Sequence, residues 1–158
     1  MPRITPNLWF DTEAKEAADF YCAIFPNSAI NEISFYSEAG MRKAGMVLTV
    51  QFVLDGQNYT AINGGPQFTF NESVSFLISC DDQAEVDYYW DKLSEGGTDG
   101  RCGWLKDKYG LSWQVVPRGL GELLSDPDAG RQRRAMEAML SMSKLDLAAL
   151  REAADRAD

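Results

Sequence analysis

The residue types that could perform acid–base chemistry in this chain are carboxylates, tyrosines, lysines and cysteines, because its 158 residues include no histidine. Without histidine, Ser-His-Asp triads, Cys-His dyads and histidine metal sites are excluded. Asp55, Glu72, Asp107 and Tyr109 lie near the ends of predicted strands, but their spacing pairs no two carboxylates. Asp55 and Asp107 occupy turns, where aspartate side chains commonly bind nearby backbone amides. The sequence therefore indicates no acid–base centre.

Aromatic and amide residues on the predicted strands and in the loop after residue 63 are suited to binding rather than to catalysis. Aromatic rings bind planar or apolar molecules by stacking, and amides orient them through hydrogen bonds. The candidate ligand-binding residues are Trp9, Asn63, Gln67, Phe68, Phe70, Trp104, Trp113 and Gln114. Structural alternatives stay open: the tryptophans as core or interface residues, Asn63 as a turn cap, and Phe68 with Phe70 as a partner contact. Gly64 and Gly65 either shape a turn or allow a ligand to approach the backbone.

The charge balance argues against polyanionic partners. Lys and Arg number 15 against 24 Asp and Glu, a formal net charge of -9, which repels nucleic acid and anionic membrane surfaces. The basic cluster Arg131, Arg133 and Arg134 lies in a predicted helix close to Glu137, as on a solvated helix face. We expect neither nucleic acid nor membrane as a partner.

The cysteines and the first residues indicate a cytoplasmic protein. Cys22, Cys80 and Cys102 are far apart, and an odd count is poor for a disulfide framework, so we expect reduced thiols. No apolar run approaches the roughly 18 residues that span a bilayer. Residues 1–5 lead into a strand-like segment without an apolar signal core.

The elements that position the candidate residues begin with the order strand, helix, three strands. Apolar alternation predicts the strands, the clearest being 46–54, and the turn Asp55-Gly56 joins this strand to the next. Asp11 or Thr12 is the expected N-cap of the helix, which Pro26 ends. The predicted strands of this first module are 4–10, 29–37, 46–54 and 57–63.

The same order of elements then repeats. A strand over 73–80 precedes a helix capped by Asp81 or Asp82, and a hairpin of strands 102–106 and 111–116 follows. In this second module, the strand that corresponds to 29–37 is short or degraded. The sequence therefore predicts an α+β fold with paired βαβββ modules, about 1–65 and 72–117, within a domain of residues 1–117.

Residues 118–158 are predicted to form a C-terminal helical extension. A linker from Pro117 to Pro127 with a short helical turn precedes two helices, about 128–142 and 146–156. Met136, Met139 and Leu140 share one side of the first helix, and Leu147 and Leu150 share one side of the second. Such short helices bury too little alone, so we expect them to pack on the body or on a second subunit.

Several motifs closely resemble the PhnB-like family, also called the 3-demethylubiquinone-9 3-methyltransferase domain, of the glyoxalase/bleomycin resistance/dioxygenase (vicinal oxygen chelate) superfamily. The resemblance implies paired modules whose sheets curl around a shared cleft, and it implies a homodimer. The motifs are Leu8-Trp9-Phe10-Asp11, Phe20-Tyr21-x-x-Ile24-Phe25-Pro26-Asn27-Ser28, Asn63-Gly64-Gly65-Pro66, Val86-Asp87-x-x-Trp90-x-x-Leu93, and Cys102-Gly103-Trp104-Leu105-Lys106-Asp107-x-x-Gly110-x-Ser112-Trp113-Gln114-Val115-Val116-Pro117.

The same resemblance allows the superfamily's metal positions to be located. The first-strand ligand positions correspond to Ile4 and Val74, and the last-strand positions to Gln114 and to Ala61 or Ile62. Hydrocarbon side chains cannot bind a divalent ion, which needs His, Glu, Asp or Cys donors. We therefore expect no metal and no cofactor. Gln67 also stands where related sequences often carry a histidine.

The methyltransferase label finds no support in the sequence pattern. Gly119-x-Gly121 follows a strand but lacks the parallel α/β order and the acidic residue on a later strand that a Rossmann cofactor site requires. Gly64-Gly65-Pro66 leads into an aromatic loop rather than a helix.

Together these observations favour a metal-free small-molecule-binding protein, homodimeric and cytoplasmic, with its ligand in a cleft lined by aromatics and amides. One alternative is an enzyme of the same superfamily with transferase, lyase or dioxygenase-like activity, which rests on the resemblance alone. Another is a protein-interaction module that uses the C-terminal helices as its partner surface.

Overall fold

The computed structural model describes residues 3–157, and within that range the chain forms eight strands and five helices. The contacts divide it into two compact units, the first ending at Phe70 and the second beginning at Asn71. Each unit contains one four-stranded mixed sheet and the order strand, helix, three strands. The prediction of an α+β fold with two βαβββ modules and C-terminal helices is confirmed.

The first unit has the strand order β1-β4-β3-β2, with β1 parallel to β4 and the other pairs antiparallel. Its helix packs on one face of the sheet because Val50, Phe52 and Leu54 alternate toward it and are buried. The elements are β1 (Asn7–Phe10), α1 (Ala14–Ile24), β2 (Ala29–Phe35), β3 (Val47–Leu54) and β4 (Gln57–Asn63).

The second unit has the strand order β5-β8-β7-β6, with β5 parallel to β8. Val86, Trp90 and Leu93 form the buried face of its helix. The counterpart of β2 has only two residues, which confirms the degraded strand expected from the sequence. The elements are β5 (Ser75–Cys80), α2 (Gln83–Ser94), β6 (Thr98–Asp99), β7 (Trp104–Lys106) and β8 (Ser112–Pro117).

The start of α1 differs from the expectation. The N-cap residue is Glu13, and it offers no side-chain cap, so the prediction of Asp11 or Thr12 is wrong. The Ala14 N–H donates instead to Oδ1 of Asn63 at 2.9 Å. A side chain from the end of β4 thus satisfies one of the free amides at the helix start. The α2 cap follows the expected pattern, since Asp82 accepts from the Glu85 N–H.

Three helices form the C-terminal extension: α3 (Leu120–Leu124), α4 (Ala129–Leu140) and α5 (Leu147–Asp155). Asp128 and Asp146 cap the last two. The expected apolar side of α4 is only partly correct, because Met136 and Leu140 are exposed while Ala135 is fully buried. The extension's own core consists of Leu120, Leu123, Ala135, Leu145, Leu150 and Ala154.

The extension is tied to the sheet of the second unit by backbone hydrogen bonds. The Cys102 and Gly103 N–H groups donate to the carbonyls of Met142 and Ser143, both at 2.8 Å. Gln83 of α2 makes two hydrogen bonds at the start of α5. Its Nε2 donates to the Leu145 carbonyl at 2.9 Å, and its Oε1 accepts from the N–H of Leu147, the first residue of α5, at 3.0 Å. Packing on the body, one of the two expected modes, is therefore observed. Across residues 3–157, no helix combines the length and apolar character needed to cross a bilayer.

Candidate functional site

The face of each sheet opposite its helix, here called the open face, carries side chains that could bind a ligand. In the first unit, one row across this open face consists of Trp9, Ile62, Thr49 and Ser34, which are neighbours in the strand register. The Ser34 and Thr49 hydroxyls lie 2.5 Å apart, so both point to this face.

Trp9 is held by the loop that follows β4. Its indole N–H donates to the Gly65 carbonyl at 2.9 Å, and its ring meets Phe68 edge-on with 5.0 Å between centroids. A Cβ on Gly64 would lie 2.3 Å from the Trp9 ring. The close approach that Gly64 permits is therefore to the indole of this chain, which is a structural role.

Asn63 lies on the helix side of the same sheet and is almost fully buried. Besides accepting from Ala14, its side chain donates through Nδ2 to the Val47 carbonyl at 3.1 Å. Both polar atoms of the amide therefore have structural partners, and the capping alternative describes this contact.

The loop after β4 places its aromatic residues differently. Phe68 is 65% exposed although it touches Trp9. Phe70 is less exposed and meets Phe10 edge-on with 5.3 Å between centroids. Gln67 is exposed, and its side chain lies against Gly65. The structure thus brings Trp9, Gln67 and Phe68 together around one glycine turn.

In the second unit, Trp113 points toward the helix side and is almost fully buried. Its indole N–H donates to Oδ2 of Asp107 at 2.9 Å. Oδ1 of the same carboxylate accepts the Tyr109 N–H at 2.8 Å and the Leu111 N–H at 3.1 Å. The expectation that Asp107 binds nearby turn amides is confirmed.

Trp104 and Gln114 face each other across β7 and β8, on the open face of the second sheet. The Gln114 amide donates to the Ser75 hydroxyl at 2.9 Å. In the next row along the sheet, Ser75, Ser112 and Lys106 are neighbours in register. Two candidate residues therefore share this face with three polar side chains that the sequence analysis left out.

A pocket of about 360 Å³ opens on this face beside β6. Trp104 is the one candidate ligand-binding residue among its lining groups. This volume lies at the lower end of the usual range for small-molecule sites. The lining residues are Glu72, Thr98, Asp99, Gly100, Trp104, Leu105, Lys106 and Ser112.

Glu72 and Lys106 form an ion pair at the pocket wall. The hydrogen bond from Lys106 lowers the pKa of the Glu72 carboxyl below its usual value, so the carboxyl is ionised at neutral pH. Alternation in the hairpin could have identified part of this wall, since Trp104 and Lys106 are two residues apart in β7 and must share a face. Glu72 precedes β5, and strand alternation gave no signal for it.

Ser112 is one of the residues around the pocket. The residue is 0% exposed. Among the described residues, the Ser112 hydroxyl oxygen is the one buried side-chain polar atom that has no hydrogen-bond partner. A buried hydroxyl without a partner costs roughly 1–3 kcal/mol. Most such groups in proteins are paired, so this one calls for an explanation.

The residues present do not fit a divalent metal ion at the positions that the family resemblance indicated. Ile4 is 94% exposed and precedes β1, although the sequence predicted a strand from residue 4. Val74 is 62% exposed and precedes β5. Gln114 offers a neutral amide whose nitrogen faces Ser75. Within residues 3–157, no group of three or more Cys, Asp or Glu side chains is arranged to hold a metal ion.

The residues also do not fit a Rossmann-type methyl-donor site. Both described sheets are mixed rather than parallel. Gly119 has φ +100° and begins a helix of only five residues. A Cβ at Gly119 would lie 3.4 Å from the Arg151 side chain, so α5 covers this turn.

The comparisons with known proteins agree with the fold. The family model described as 3-demethylubiquinone-9 3-methyltransferase matches residues 2–116. A PhnB protein from Bacillus cereus, titled a putative 3-demethylubiquinone-9 3-methyltransferase, is 35% identical with a TM-score of 0.68, covering 73% of this chain and 99% of its own. No curated protein matches the chain.

Two more distant structures share the fold. Protein PA1353 from Pseudomonas aeruginosa is 18% identical with a TM-score of 0.62, covering 74% of this chain and 98% of its own. The fosfomycin resistance protein FosX from Listeria monocytogenes is 14% identical with a TM-score of 0.52, covering 77% of this chain and 97% of its own. The chain belongs to the PhnB-like 3-demethylubiquinone-9 3-methyltransferase family.

Proposed function

We propose that this chain is a metal-free small-molecule-binding protein and that its ligand occupies the pocket on the open face of the second sheet. The observation that carries the proposal is the pocket of about 360 Å³ itself, which Trp104 lines together with a few polar side chains. Trp104 supplies an aromatic surface at the same place. Concave, largely apolar sites with a few polar groups are typical of small-molecule binding.

The side chains at the metal positions support binding without a metal. Ile4 and Val74 are hydrocarbons, and the Gln114 nitrogen donates to a neighbouring serine. A Lewis acid would need charged or imidazole donors at these positions. The methyl transfer in the family's description is not proposed, because the mixed sheets lack the strand and glycine arrangement that such chemistry uses.

Nuclear magnetic resonance of the indole N–H groups tests the proposal directly, because the sequence has four tryptophans. The assay titrates a fragment library of aromatic and quinone-like compounds in the presence of EDTA, with Trp104→Phe and Trp9→Phe assigning the signals. We expect ligands to shift the Trp104 signal and to leave the Trp9 signal in place. A library without any binder, binding that EDTA abolishes, or shifts confined to Trp9 would refute the proposal.

We also propose that the protein is a homodimer. Leu77 is 56% exposed on the open face of β5, and exposed apolar groups of this kind often mark a surface that another chain covers. Light scattering on the wild-type protein should give twice the chain mass, and Leu77→Asp should lower it. Leu140→Asp on α4 is the matched control, since Leu140 is exposed to a similar degree. A wild-type monomer would contradict the proposal.

We propose a cytoplasmic location for the protein. Cys22, Cys80 and Cys102 are free thiols, as is usual for proteins in a reducing compartment. Fractionation of the source cells followed by immunodetection tests this location. Recovery from the oxidising side of a membrane would overturn it.

A further inference from the structure

We infer that the C-terminal extension positions the wall of the pocket beside β6, so that docking of the extension and binding of a ligand strengthen each other. This inference rests on the proposed function and assigns positioning residues to the same pocket. They are the residues between α4 and α5, above all Leu145, together with Gln83 of α2. They act through the connection between β6 and β7, which consists of residues 100–103.

The connection leads directly into the pocket wall. Gly100 at its start and Trp104 just after its end both line the pocket. The Gly100 N–H donates to the Trp104 carbonyl at 2.9 Å, and the Trp104 N–H donates to the Arg101 carbonyl at 3.0 Å. A change in the backbone path of the connection would therefore move two residues that form the wall.

The backbone of the connection adopts a conformation that one of its residues does not favour. Cys102 and Gly103 have φ angles of +58° and +84°. Glycine adopts this left-handed region freely, whereas a residue with a side chain rarely does. Such a conformation persists when the surrounding structure holds it, so contacts from outside the connection must fix Cys102.

The extension supplies those contacts. The Cys102 and Gly103 N–H groups donate to the carbonyls of Met142 and Ser143, both at 2.8 Å. A Cβ on Gly103 would lie 2.9 Å from Cδ1 of Leu145, a side chain that is 0% exposed. The Gly103 carbonyl accepts an N–H of β8 at 2.8 Å. The connection is thus bonded to both the sheet and the extension.

The segment between α4 and α5 is itself fixed by α2. Gln83 binds it through two hydrogen bonds, and Nζ of Lys144 lies 3.0 Å from Oδ1 of Asp87. The family model ends at residue 116, so this segment lies outside the part of the chain that the family model describes. The extension therefore adds a support for the pocket wall that the matched region does not contain.

Docking and binding are coupled because both need the same path of the connection. When the segment is out of place, the Cys102 and Gly103 amides lose their acceptors, and the connection can adopt other conformations. A ligand binds at full strength only to the molecules whose wall is in place, so the measured affinity falls with that fraction. The coupling is reciprocal, and a bound ligand should hold the connection against the extension.

The test truncates two buried leucines. Leu145→Ala removes the side chain that packs against Gly103, and Leu54→Ala, in the core of the first unit, is the matched control. The probe is the library fragment that shifts the Trp104 indole signal most, and titration gives its dissociation constant. We expect Leu145→Ala to weaken binding about five-fold or more, the lower end of coupling between linked sites. Leu54→Ala should leave the dissociation constant unchanged.

A second variant and a reciprocal measurement extend the test to a protein whose core is intact. Gln83→Ala should weaken binding, shift the Trp104 indole signal of the unliganded protein and leave the Trp9 signal in place. Hydrogen exchange followed by nuclear magnetic resonance should be faster at the Cys102 and Gly103 amides in this variant. In the wild-type protein, saturation with the fragment should slow exchange at the same two amides.

The outcomes separate this inference from the proposed function. Equal binding by wild type and Leu145→Ala, or equal losses in Leu145→Ala and Leu54→Ala, would overturn the positioning role while binding in the pocket stands. The same holds if Gln83→Ala has the wild-type Trp104 signal, or if the fragment leaves exchange at the two amides unchanged. If no fragment shifts the Trp104 signal, the proposed function fails and this inference fails with it.

Discussion

The carboxylate of Asp107 should account for much of the stability of the β7–β8 hairpin. Asp107 is 2% exposed, and its two oxygens accept from the Tyr109 and Leu111 amides and from the Trp113 indole. Hydrogen bonds to a charged group contribute roughly 1.5–3 kcal/mol each. Asp107→Ala leaves three donors without this acceptor, and we expect a loss of about 3–5 kcal/mol of unfolding free energy.

Asp107→Asn separates the turn from the indole bond. The remaining oxygen still accepts from the two backbone amides, but the new NH₂ group faces the indole N–H of Trp113, and two donors cannot bond. We expect this variant to lose about 1.5–3 kcal/mol, which is the worth of one bond to a charged acceptor. The variant should therefore be more stable than Asp107→Ala.

A double-mutant cycle isolates the indole bond. Asp107→Asn, Trp113→Phe and the double variant are unfolded in urea and followed by circular dichroism, with the slopes compared to check that each unfolds cooperatively. We expect a coupling energy of about 1.5–3 kcal/mol. Mutations at independent sites are additive to within about 0.5 kcal/mol, so a coupling energy below this value would show that the indole hydrogen bond does not contribute to stability.

Three further predictions concern other contacts. Gly64→Ala should destabilise the protein by roughly 1–3 kcal/mol, since its Cβ would meet the rigid Trp9 ring at 2.3 Å; an unchanged urea midpoint would contradict this. Gln83→Ala should cost about 1–3 kcal/mol through two lost hydrogen bonds to the extension, with Gln83→Glu restoring only the accepting one; equal stability of both variants and wild type would refute it. Burial raises the pKa of the Cys80 thiol to about 11, so at pH 8 peptide mapping after iodoacetamide should find Cys80 alkylated slowly in the native protein and rapidly in urea, and rapid native alkylation would count against it. Because folding raises the pKa of the Cys80 thiol, the folded state holds this proton more tightly than the unfolded state. The contribution of the thiol to the unfolding free energy is therefore complete below the unfolded pKa of 9.0 and declines as the pH rises toward the folded pKa.

Local sequence patterns were sufficient for most of the fold. Alternation of apolar residues located β3 to within one residue, and the turn Asp55-Gly56 placed β4 at its observed ends. The α1 cap could not be predicted in this way, because its acceptor is Asn63, 49 residues away in sequence. Helix starts that depend on distant side chains carry no local signature.

The candidate site was less accessible to sequence reasoning. Trp113 and Gln114 are adjacent in β8 and must point to opposite faces, so alternation alone could have separated them. The lack of a partner for Ser112 is different, because it depends on where every neighbouring polar atom lies. The Glu72–Lys106 pair likewise depends on the path of the chain before β5, which no periodic pattern describes.

The attachment of the extension has a consequence for synthesis of the chain on the ribosome. The N–H groups of Cys102 and Gly103, just before Trp104, pair with carbonyls of Met142 and Ser143, which are translated 40 residues later (142 − 102). The nascent second sheet therefore emerges with these two amides bound to water. The connection that leads into the pocket wall acquires its final bonding only after residues 142 and 143 have left the exit tunnel.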